Sequence, residues 1–160
     1  MRQIIQDIAL SDTNFPALLR EIPFPPEKLH VWGKIPEHGN FLSIVGTRKC
    51  TAYGEEIVRK IVAGLAPHNF IIVSGLAIGI DTIAHKASIE NNISTVAVLG
   101  SGLSPSVLYP TRNLPLADEI VSKGGAVVSE YDMDMKATLW SFPQRNRIIS
   151  GMCPATLVVE

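Results

Sequence analysis

Three glycine-containing turns hold residues whose types and spacing could do chemistry. Each follows a short apolar run, and they are Gly46-Thr47-Arg48, Ser74-Gly75 and Gly100-Ser101-Gly102. Glycine lets a ligand approach the backbone closely, and free backbone amides at such turns attract anions. Any one turn is explained by a tight connection between a strand and a helix. The three turns together, with an arginine in the first, predict an anion-binding site.

Arg48 and Lys49 directly follow the first apolar run. A guanidinium binds phosphate with two parallel hydrogen bonds, which an ammonium does not match. We therefore assign Arg48 to the site and Lys49 to the surface. None of the turns has the G-x-G-x-x-G pattern of NAD or FAD sites, and no P-loop pattern is present. The sequence thus predicts no cofactor.

A second basic cluster, Phe142-Pro143-Gln144-Arg145-Asn146-Arg147, opens a predicted helix beside Trp140. Basic groups next to aromatic rings suit single-stranded nucleic acid, which offers a charged backbone and flat bases. Taken alone, the cluster would be explained by solvated arginines and buried rings. Arg145 and Arg147 are two positions apart on a helix, so they do not both face one ligand. We expect one to contact phosphate and the other to pair internally, with Glu130.

Asp81 and His85 are four residues apart and could form a carboxylate–imidazole pair for acid–base chemistry. An aspartate in the first turn of a helix is more often a cap, so we expect Asp81 to cap and His85 to be a partly buried structural partner. No serine or cysteine lies at a recognisable nucleophile elbow, and Ser74 is interpreted as a turn or anion contact. The sequence therefore assigns no catalytic residue.

The elements that must position these side chains begin near Phe41. From there, short apolar runs alternate with longer amphipathic ones, which is typical of a parallel sheet covered by helices on both faces. The predicted strands span residues 41–45, 70–73, 95–99, 126–129 and 156–159. The carboxyl ends of parallel strands share one edge of a sheet, so we expect the three glycine turns to lie together there.

Predicted helices connect these strands. The clearest covers residues 55–66, with an apolar stripe on one side, two i,i+4 pairs of opposite charge on the other, and Pro67 as its stop. Asn113 and Pro115 open another, and Gly124 closes it. This helix is predicted over residues 113–123, and the two remaining helices over residues 81–90 and 143–152.

Five of the 11 prolines fall within the first 36 residues. Proline fixes φ and removes a backbone donor, so neither continuous helix nor a central strand is expected there. We interpret residues 1–40 as a proline-rich leader. It is rich in apolar side chains, so we expect it to pack on the domain formed by residues 41–160.

Composition limits the partners that the chain could attract. Its 160 residues carry 14 Lys plus Arg against 15 Asp plus Glu, a net charge of −1, so any anion site must be local. A hydrophobic share of 46% is typical of a globular domain. Cys50 and Cys153 lack metal-ligand spacing, and no secretory or membrane-spanning run is visible. We therefore expect free thiols, no metal, no membrane and a cytoplasmic location.

Six segments, taken in order, closely resemble the DNA processing protein A (DprA/Smf) family: residues 44–48, 73–85, 98–103, 109–110, 129–130 and 142–151. The resemblance covers essentially all of residues 41–160. Residues 15–33 also resemble the family's proline-punctuated lead-in. The resemblance implies an α/β fold, a Rossmann-like three-layer sandwich with a mainly parallel sheet, preceded by the short proline-rich leader.

The resemblance also implies a function without catalysis. Members of the family bind single-stranded DNA, engage the RecA recombinase and help load it onto incoming strands in natural transformation, and they form homodimers. A positively charged pocket at the carboxyl edge of the sheet holds the strand. Carried onto this sequence, the implied DNA-binding residues are Gly46, Thr47, Arg48, Ser74, Gly75, Gly100, Ser101, Gly102, Phe142, Arg145, Asn146 and Arg147.

The family's pattern extends further than this sequence. After the segment that matches residues 157–159, the family continues through a Ser-Gly-Ser turn and further strands, and it adds a helical domain before and a winged-helix domain after. We therefore expect this chain to be a fragment, truncated at the C-terminal end of the Rossmann-like domain. RecA contact and dimerisation, which the family places largely in that missing part, are then expected to be weakened or absent.

Two other classes of function stay open. Lysine-decarboxylase-like phosphoribohydrolases have a related core and would hydrolyse a nucleoside monophosphate at the same sheet edge. Their Pro-Gly-Gly-x-Gly-Thr signature is absent from the 160 residues. A sensor that binds a small nucleotide without turning it over would use the same glycines and Arg48.

Overall fold

The computed structural model describes residues 4–160, so the first three residues of the predicted leader lie outside the described residues. Within 4–160, seven strands form one sheet: β1 (Ile5–Ala9), β2 (Lys28–Gly33), β3 (Asn40–Gly46), β4 (Phe70–Ser74), β5 (Ser94–Val98), β6 (Ala126–Ser129) and β7 (Ala155–Val159). The five strands predicted from the sequence are confirmed, each with ends within two residues of the expected ones.

The α-helices of the described residues are α1 (Ala17–Arg20), α2 (Ala52–Leu65), α3 (Ile80–Glu90), α4 (Leu114–Ser122) and α5 (Ser141–Gly151). The helix α2 begins three residues before its predicted start because Thr51 caps it, its hydroxyl accepting from the Gly54 amide at 3.1 Å. Short 3₁₀ turns follow α2 and precede α4. None of the helices in 4–160 is long and apolar enough to cross a membrane.

The strand order is β1-β2-β6-β5-β4-β3-β7. The strands from β6 to β7 in that order run parallel, whereas β2 pairs antiparallel with both β1 and β6. The chain leaves β3, builds outward through β4, β5 and β6, and then returns to the far side of β3 to form β7. Ligands of open α/β sheets bind outside the carboxyl ends of the strands near such a reversal.

Three layers form around this sheet. Alternate residues of each central strand face opposite sides, so Ile71 and Val73 pack in the core with α5 while Ile72 packs in the core with α2 and α3. A further apolar cluster joins α4 to the same side as α2 and α3. Helices thus cover both faces of a mostly parallel sheet, and the predicted α/β fold is confirmed.

The proline-rich segment does contain an interior strand, so the expectation of no central strand there was wrong. Strand β2 lies between β1 and β6, and its residues Leu29 to Trp32 are all buried. The reason is local, because Pro26 and Pro36 flank the strand and none of residues 28–33 is proline. Whether residues 1–40 and 41–160 act as leader and domain stays a prediction.

Candidate functional site

A small pocket opens at the carboxyl ends of β3 and β4. Its volume is about 40 Å³, and its lining combines side chains from the first two glycine turns, the loop after β5 and the start of α5: Arg48, Gly75, Ala77, Ile78, Tyr109, Pro110, Phe142 and Arg145. The two basic clusters that the sequence analysis singled out therefore meet in one place. They lie at the edge of the sheet where the anion site was predicted.

The turn that carries Arg48 is anchored on both sides. The Thr47 amide donates to the Val159 carbonyl of β7 at 3.3 Å, and the Thr47 carbonyl accepts from the Ile80 amide of α3 at 3.1 Å. A Cβ on Gly46 would lie 1.9 Å from the Val159 carbonyl oxygen, so only glycine fits this close approach. The backbone beneath Arg48 is therefore fixed while its side chain is exposed.

Arg48 is an exposed cation on this turn, beside the Phe142 ring. Its guanidinium carbon lies 5.2 Å from the centroid of the Phe142 ring, within the range of a cation–π contact. It makes neither an ion pair nor a side-chain hydrogen bond with any residue in 4–160. Its hydrogen-bonding capacity is thus unused within residues 4–160, and anion binding by Arg48 stays a prediction.

Tyr109 belongs to the pocket although the sequence analysis gave it no role. Its ring centroid lies 5.5 Å from that of Phe142, with 52° between the planes, and 49% of its surface is exposed. No basic residue adjoins Tyr109 in the sequence, so the pattern used to find the other site residues missed it. The Tyr109-Pro110 pair within the family resemblance was the available signal.

Arg145 reaches the pocket from beneath. It is buried in α5, where its Nη1 donates to the Gly75 carbonyl at 2.8 Å and to the Val98 carbonyl, and its Nε donates to Asn146 Oδ1 at 3.2 Å. Its Nη2 makes no hydrogen bond within residues 4–160. Arg145 therefore joins the ends of β4 and β5 and keeps one nitrogen for the pocket.

Asp81 lies behind the pocket as the counterpart of Arg145. Its Oδ2 accepts from the Gly75 amide at 3.0 Å. Burial raises the pKa of the Asp81 carboxyl, and the charge of Arg145 opposes that shift. Burial likewise lowers the pKa of Arg145, with Asp81 opposing it. Each charge therefore partly offsets the effect of burial on the other.

The expected cradle of glycine amides is largely occupied by the protein itself. The Gly75 amide donates to the Asp81 carboxylate. The Thr47 amide donates to the Val159 carbonyl, and the Gly102 amide donates to the Met135 carbonyl at 2.8 Å. Buried amides must find acceptors, and the chain supplies them before any ligand arrives. These three amides are therefore used by the protein itself, and anion binding by the other amides of the turns stays a prediction, as it does for Arg48.

The serines of the predicted site are also engaged. Ser74 is fully buried and its hydroxyl donates to the Ile44 carbonyl of β3 at 2.6 Å. Ser101 is fully buried as well, with its hydroxyl on the Gly102 carbonyl at 3.1 Å. The interpretation of Ser74 as an anion contact is therefore corrected, because both hydroxyls hold the sheet edge together.

The third turn supports the pocket rather than lining it. The Gly100 carbonyl accepts from the Ser141 hydroxyl at 2.6 Å, which ties the turn to the start of α5. A Cβ on Gly100 would lie 2.8 Å from the Phe142 ring, so the ring packs directly on this backbone. Gly100 thereby helps to set the position of Phe142.

Arg147 is the arginine that pairs with Glu130, a choice between Arg145 and Arg147 that the sequence left open, and a DNA contact by Arg147 stays a prediction. Its two terminal nitrogens each donate to a carboxylate oxygen of Glu130 at 2.6 Å, and its Nε donates to the Phe24 carbonyl at 3.1 Å. Arg147 thus joins α5 to the segment before β2. Asn146 is exposed and keeps its amide nitrogen free of hydrogen bonds within residues 4–160.

Trp140 lies outside the pocket. Its ring is 57% exposed and meets Tyr131 edge-on, with centroids 5.9 Å apart. The two aromatic residues that flank the start of α5 therefore differ, because Phe142 lines the pocket and Trp140 does not.

Asp81 and His85 form no acid–base pair. The His85 Nδ1 lies 2.7 Å from the Thr95 hydroxyl, which itself donates to the Ile72 carbonyl, so we assign the Nδ1 as the protonated nitrogen. Burial lowers the pKa of His85 to about 3, so the ring is neutral. The structural role expected for His85 is confirmed, but the ring is fully buried and its partner is Thr95 instead of Asp81. Among residues 4–160, no group of three or more His, Cys, Asp or Glu could hold a metal ion.

The fold and the pocket together define a Rossmann-like α/β protein with an open cationic and aromatic site at the carboxyl edge of its sheet. Residues 6–160 match the family model of DNA recombination-mediator protein A. The chain belongs to this family.

Two relatives by sequence and two by structure illustrate the match. A Synechocystis protein Smf is 41% identical over 97% of this chain and 39% of its own length, and the Bacillus subtilis DNA processing protein DprA is 38% identical over 99% and 53%. The structure of DNA processing protein A from Streptococcus pneumoniae superimposes with a TM-score of 0.89, at 37% identity, over 98% of this chain and 54% of that one.

A structure of DNA processing protein A from Helicobacter pylori, described for its single-stranded DNA binding mode, gives a TM-score of 0.83 at 27% identity, over 96% of this chain and 68% of that one. The chain therefore spans about half, or less, of the length of the sequence relatives that it matches.

Proposed function

We propose that this chain binds single-stranded DNA at the pocket around Arg48 and that it acts, without catalysis, in loading the RecA recombinase onto DNA during natural transformation or recombination in the cytoplasm. Support comes from membership of the recombination-mediator family and from the Helicobacter pylori relative, which is described as binding single-stranded DNA. Contacts with RecA and a homodimer belong to the same proposal, and they rest on the family alone.

The observation that carries the proposal is an unpaired guanidinium beside an open aromatic ring. Arg48 is exposed and lies over Phe142, and Tyr109 presents a half-exposed ring next to it. Proteins that bind single strands combine cations for the backbone with rings on which bases stack. The two helices that begin at the pocket, α3 and α5, both pack on strands of the sheet, so neither is placed as a recognition helix for a major groove.

The small volume of the pocket favours an open surface for single-stranded DNA over a cavity that encloses a nucleotide. Sites that enclose small ligands typically measure about 300–1,000 Å³, whereas this pocket measures about 40 Å³. Its lining contains no carboxylate and no histidine to act as the acid or base of a hydrolysis. Both facts favour an open binding surface over the phosphoribohydrolase and nucleotide-sensor alternatives.

A fluorescence anisotropy titration tests the proposal. A labelled oligothymidine is titrated with the protein, alongside a duplex of equal length at the same salt and a competition with AMP. We expect saturable binding of the single strand, weaker binding of the duplex and no displacement by AMP. Tight duplex binding, or displacement by AMP at equal molar ratios, would contradict the proposal.

A further inference from the structure

We propose that Tyr109 is the residue on which a base of the single strand stacks, and that Phe142 positions Arg48 instead of contacting a base. The inference rests on the proposed function, because it assigns roles within the same pocket. It separates the roles of two neighbouring aromatic rings, of which the sequence had assigned only Phe142 to the site.

Phe142 is already covered by the protein. The Arg48 guanidinium lies over its ring, the Gly100 backbone packs against its edge, and the Tyr109 ring lies 5.5 Å away. A base that stacked on Phe142 would have to displace Arg48, the cation that its own phosphate requires. Phe142 is therefore suited to hold the guanidinium at the sheet edge.

Tyr109 has the open ring. Its surface is 49% exposed, and its hydroxyl makes no hydrogen bond within residues 4–160. Aromatic rings offer a flat surface to any base, which matches binding with little sequence preference. Tyr109 and Arg48 both contact the same ring, so a base on Tyr109 brings its phosphate towards Arg48.

The loop that carries Tyr109 is held in place before any ligand binds. On one side Leu108 is buried in the core. On the other side the Asn113 side-chain amide donates to the Leu76 carbonyl at 2.7 Å and to the Thr82 hydroxyl at 2.8 Å. These acceptors lie in the loop after β4 and in the first turn of α3. A preorganised ring loses little freedom when a base stacks on it.

Oligonucleotides with and without bases distinguish stacking by Tyr109 from positioning of Arg48 by Phe142. Binding of an oligothymidine and of an abasic oligonucleotide of equal length is measured for the Tyr109→Leu, Tyr109→Phe and Phe142→Leu variants. Trp140→Leu is the matched control, because Trp140 is exposed but lies outside the pocket. Circular dichroism checks that each variant is folded.

We expect Tyr109→Leu to weaken oligothymidine binding by about five- to 150-fold, the usual range for one stacked base, and to leave abasic binding unchanged. Tyr109→Phe retains the ring and should bind both strands normally. Phe142→Leu should weaken both strands, because Arg48 loses the ring beneath it. Trp140→Leu should change neither.

Three outcomes would overturn the inference. They are unchanged oligothymidine binding by folded Tyr109→Leu, an equal loss on the two strands by that variant, and a base-dependent loss in Phe142→Leu or Trp140→Leu. Failure of the unaltered protein to bind any single strand would refute the proposed function itself. The two failures are therefore distinguishable.

Discussion

Three arginines near the sheet edge show how surroundings decide the role of one residue type. Arg48 is exposed and unpaired within residues 4–160, Arg147 is held by Glu130, and Arg145 is buried between backbone carbonyls. Removing a buried, paired charge typically costs about 3–5 kcal/mol of stability, whereas exposed positions change it by about 0.5 kcal/mol or less. Arg48 is therefore the arginine whose loss tests binding separately from folding.

At the residue scale, His85 predicts a pH dependence of stability. The unfolded chain protonates this imidazole near pH 6.5, whereas the folded protein does so only near pH 3. Below pH 6.5 the unfolded state therefore binds a proton that the folded state does not bind. The free energy of unfolding then falls by up to about 1.4 kcal/mol for each pH unit. Above pH 6.5 His85 contributes no pH dependence.

Urea denaturation as the pH is lowered from 6.5 to about 5 measures this effect. We expect the free energy of unfolding of His85→Gln to depend less on pH than that of the unaltered protein. His68→Gln is the control, because His68 is exposed. Parallel pH profiles for the unaltered protein and His85→Gln would show that the His85 ring does not carry the effect.

The sequence was informative at this scale where charge or position in a helix limits the roles open to a side chain. That one of Arg145 and Arg147 pairs with Glu130, and that His85 is structural, were predictable in this way. The acceptors of the Gly75 and Gly102 amides were not, because the Asp81 carboxylate and the Met135 carbonyl reach these amides only in the folded chain. Tyr109 was missed because no basic residue adjoins it in the sequence.

At the element scale, strand β2 shows that the average proline content of a segment does not predict whether it contains an interior strand. Residues 28–33 lie between prolines and pair with strands on both sides. The parallel strands were easier to predict, because helices cover both of their faces and leave continuous apolar runs. The antiparallel pairing of β2 with β6 joins residues about a hundred apart, and no local pattern encodes it.

Two leucines of the predicted leader test whether that segment belongs to the core. Leu29 is fully buried in β2, whereas Leu18 in α1 is 46% exposed. Leu29→Ala should lower the free energy of unfolding by about 2–5 kcal/mol, and Leu18→Ala by about 0.5 kcal/mol or less. Urea denaturation followed by circular dichroism measures both. Equal losses of stability in the two variants would contradict the buried position of Leu29 in the core.

At the scale of the whole molecule, the net charge of −1 gives no overall attraction to DNA, so binding must depend on the cations at the pocket. The pocket offers Arg48 and Arg145 as cations. Each phosphate neutralised on a single strand contributes a slope of about −0.7 to log affinity against log salt concentration, so two give about −1.4. Titrations at several salt concentrations measure the slope. A slope steeper than about −3 would place many more cations at the interface, as oligomerisation could.

The central claim is that Arg48 makes the sheet edge a site for single-stranded DNA, and its most direct test compares Arg48→Ala with Lys49→Ala. Both side chains are exposed, adjacent and basic, so the pair controls for charge. Anisotropy titration of an oligothymidine should show a loss of about 1.5–3 kcal/mol, or about 10- to 150-fold, for Arg48→Ala, and much less for Lys49→Ala. The circular dichroism of both variants should match that of the unaltered protein. A folded Arg48→Ala variant that binds the strand with undiminished affinity would contradict the claim.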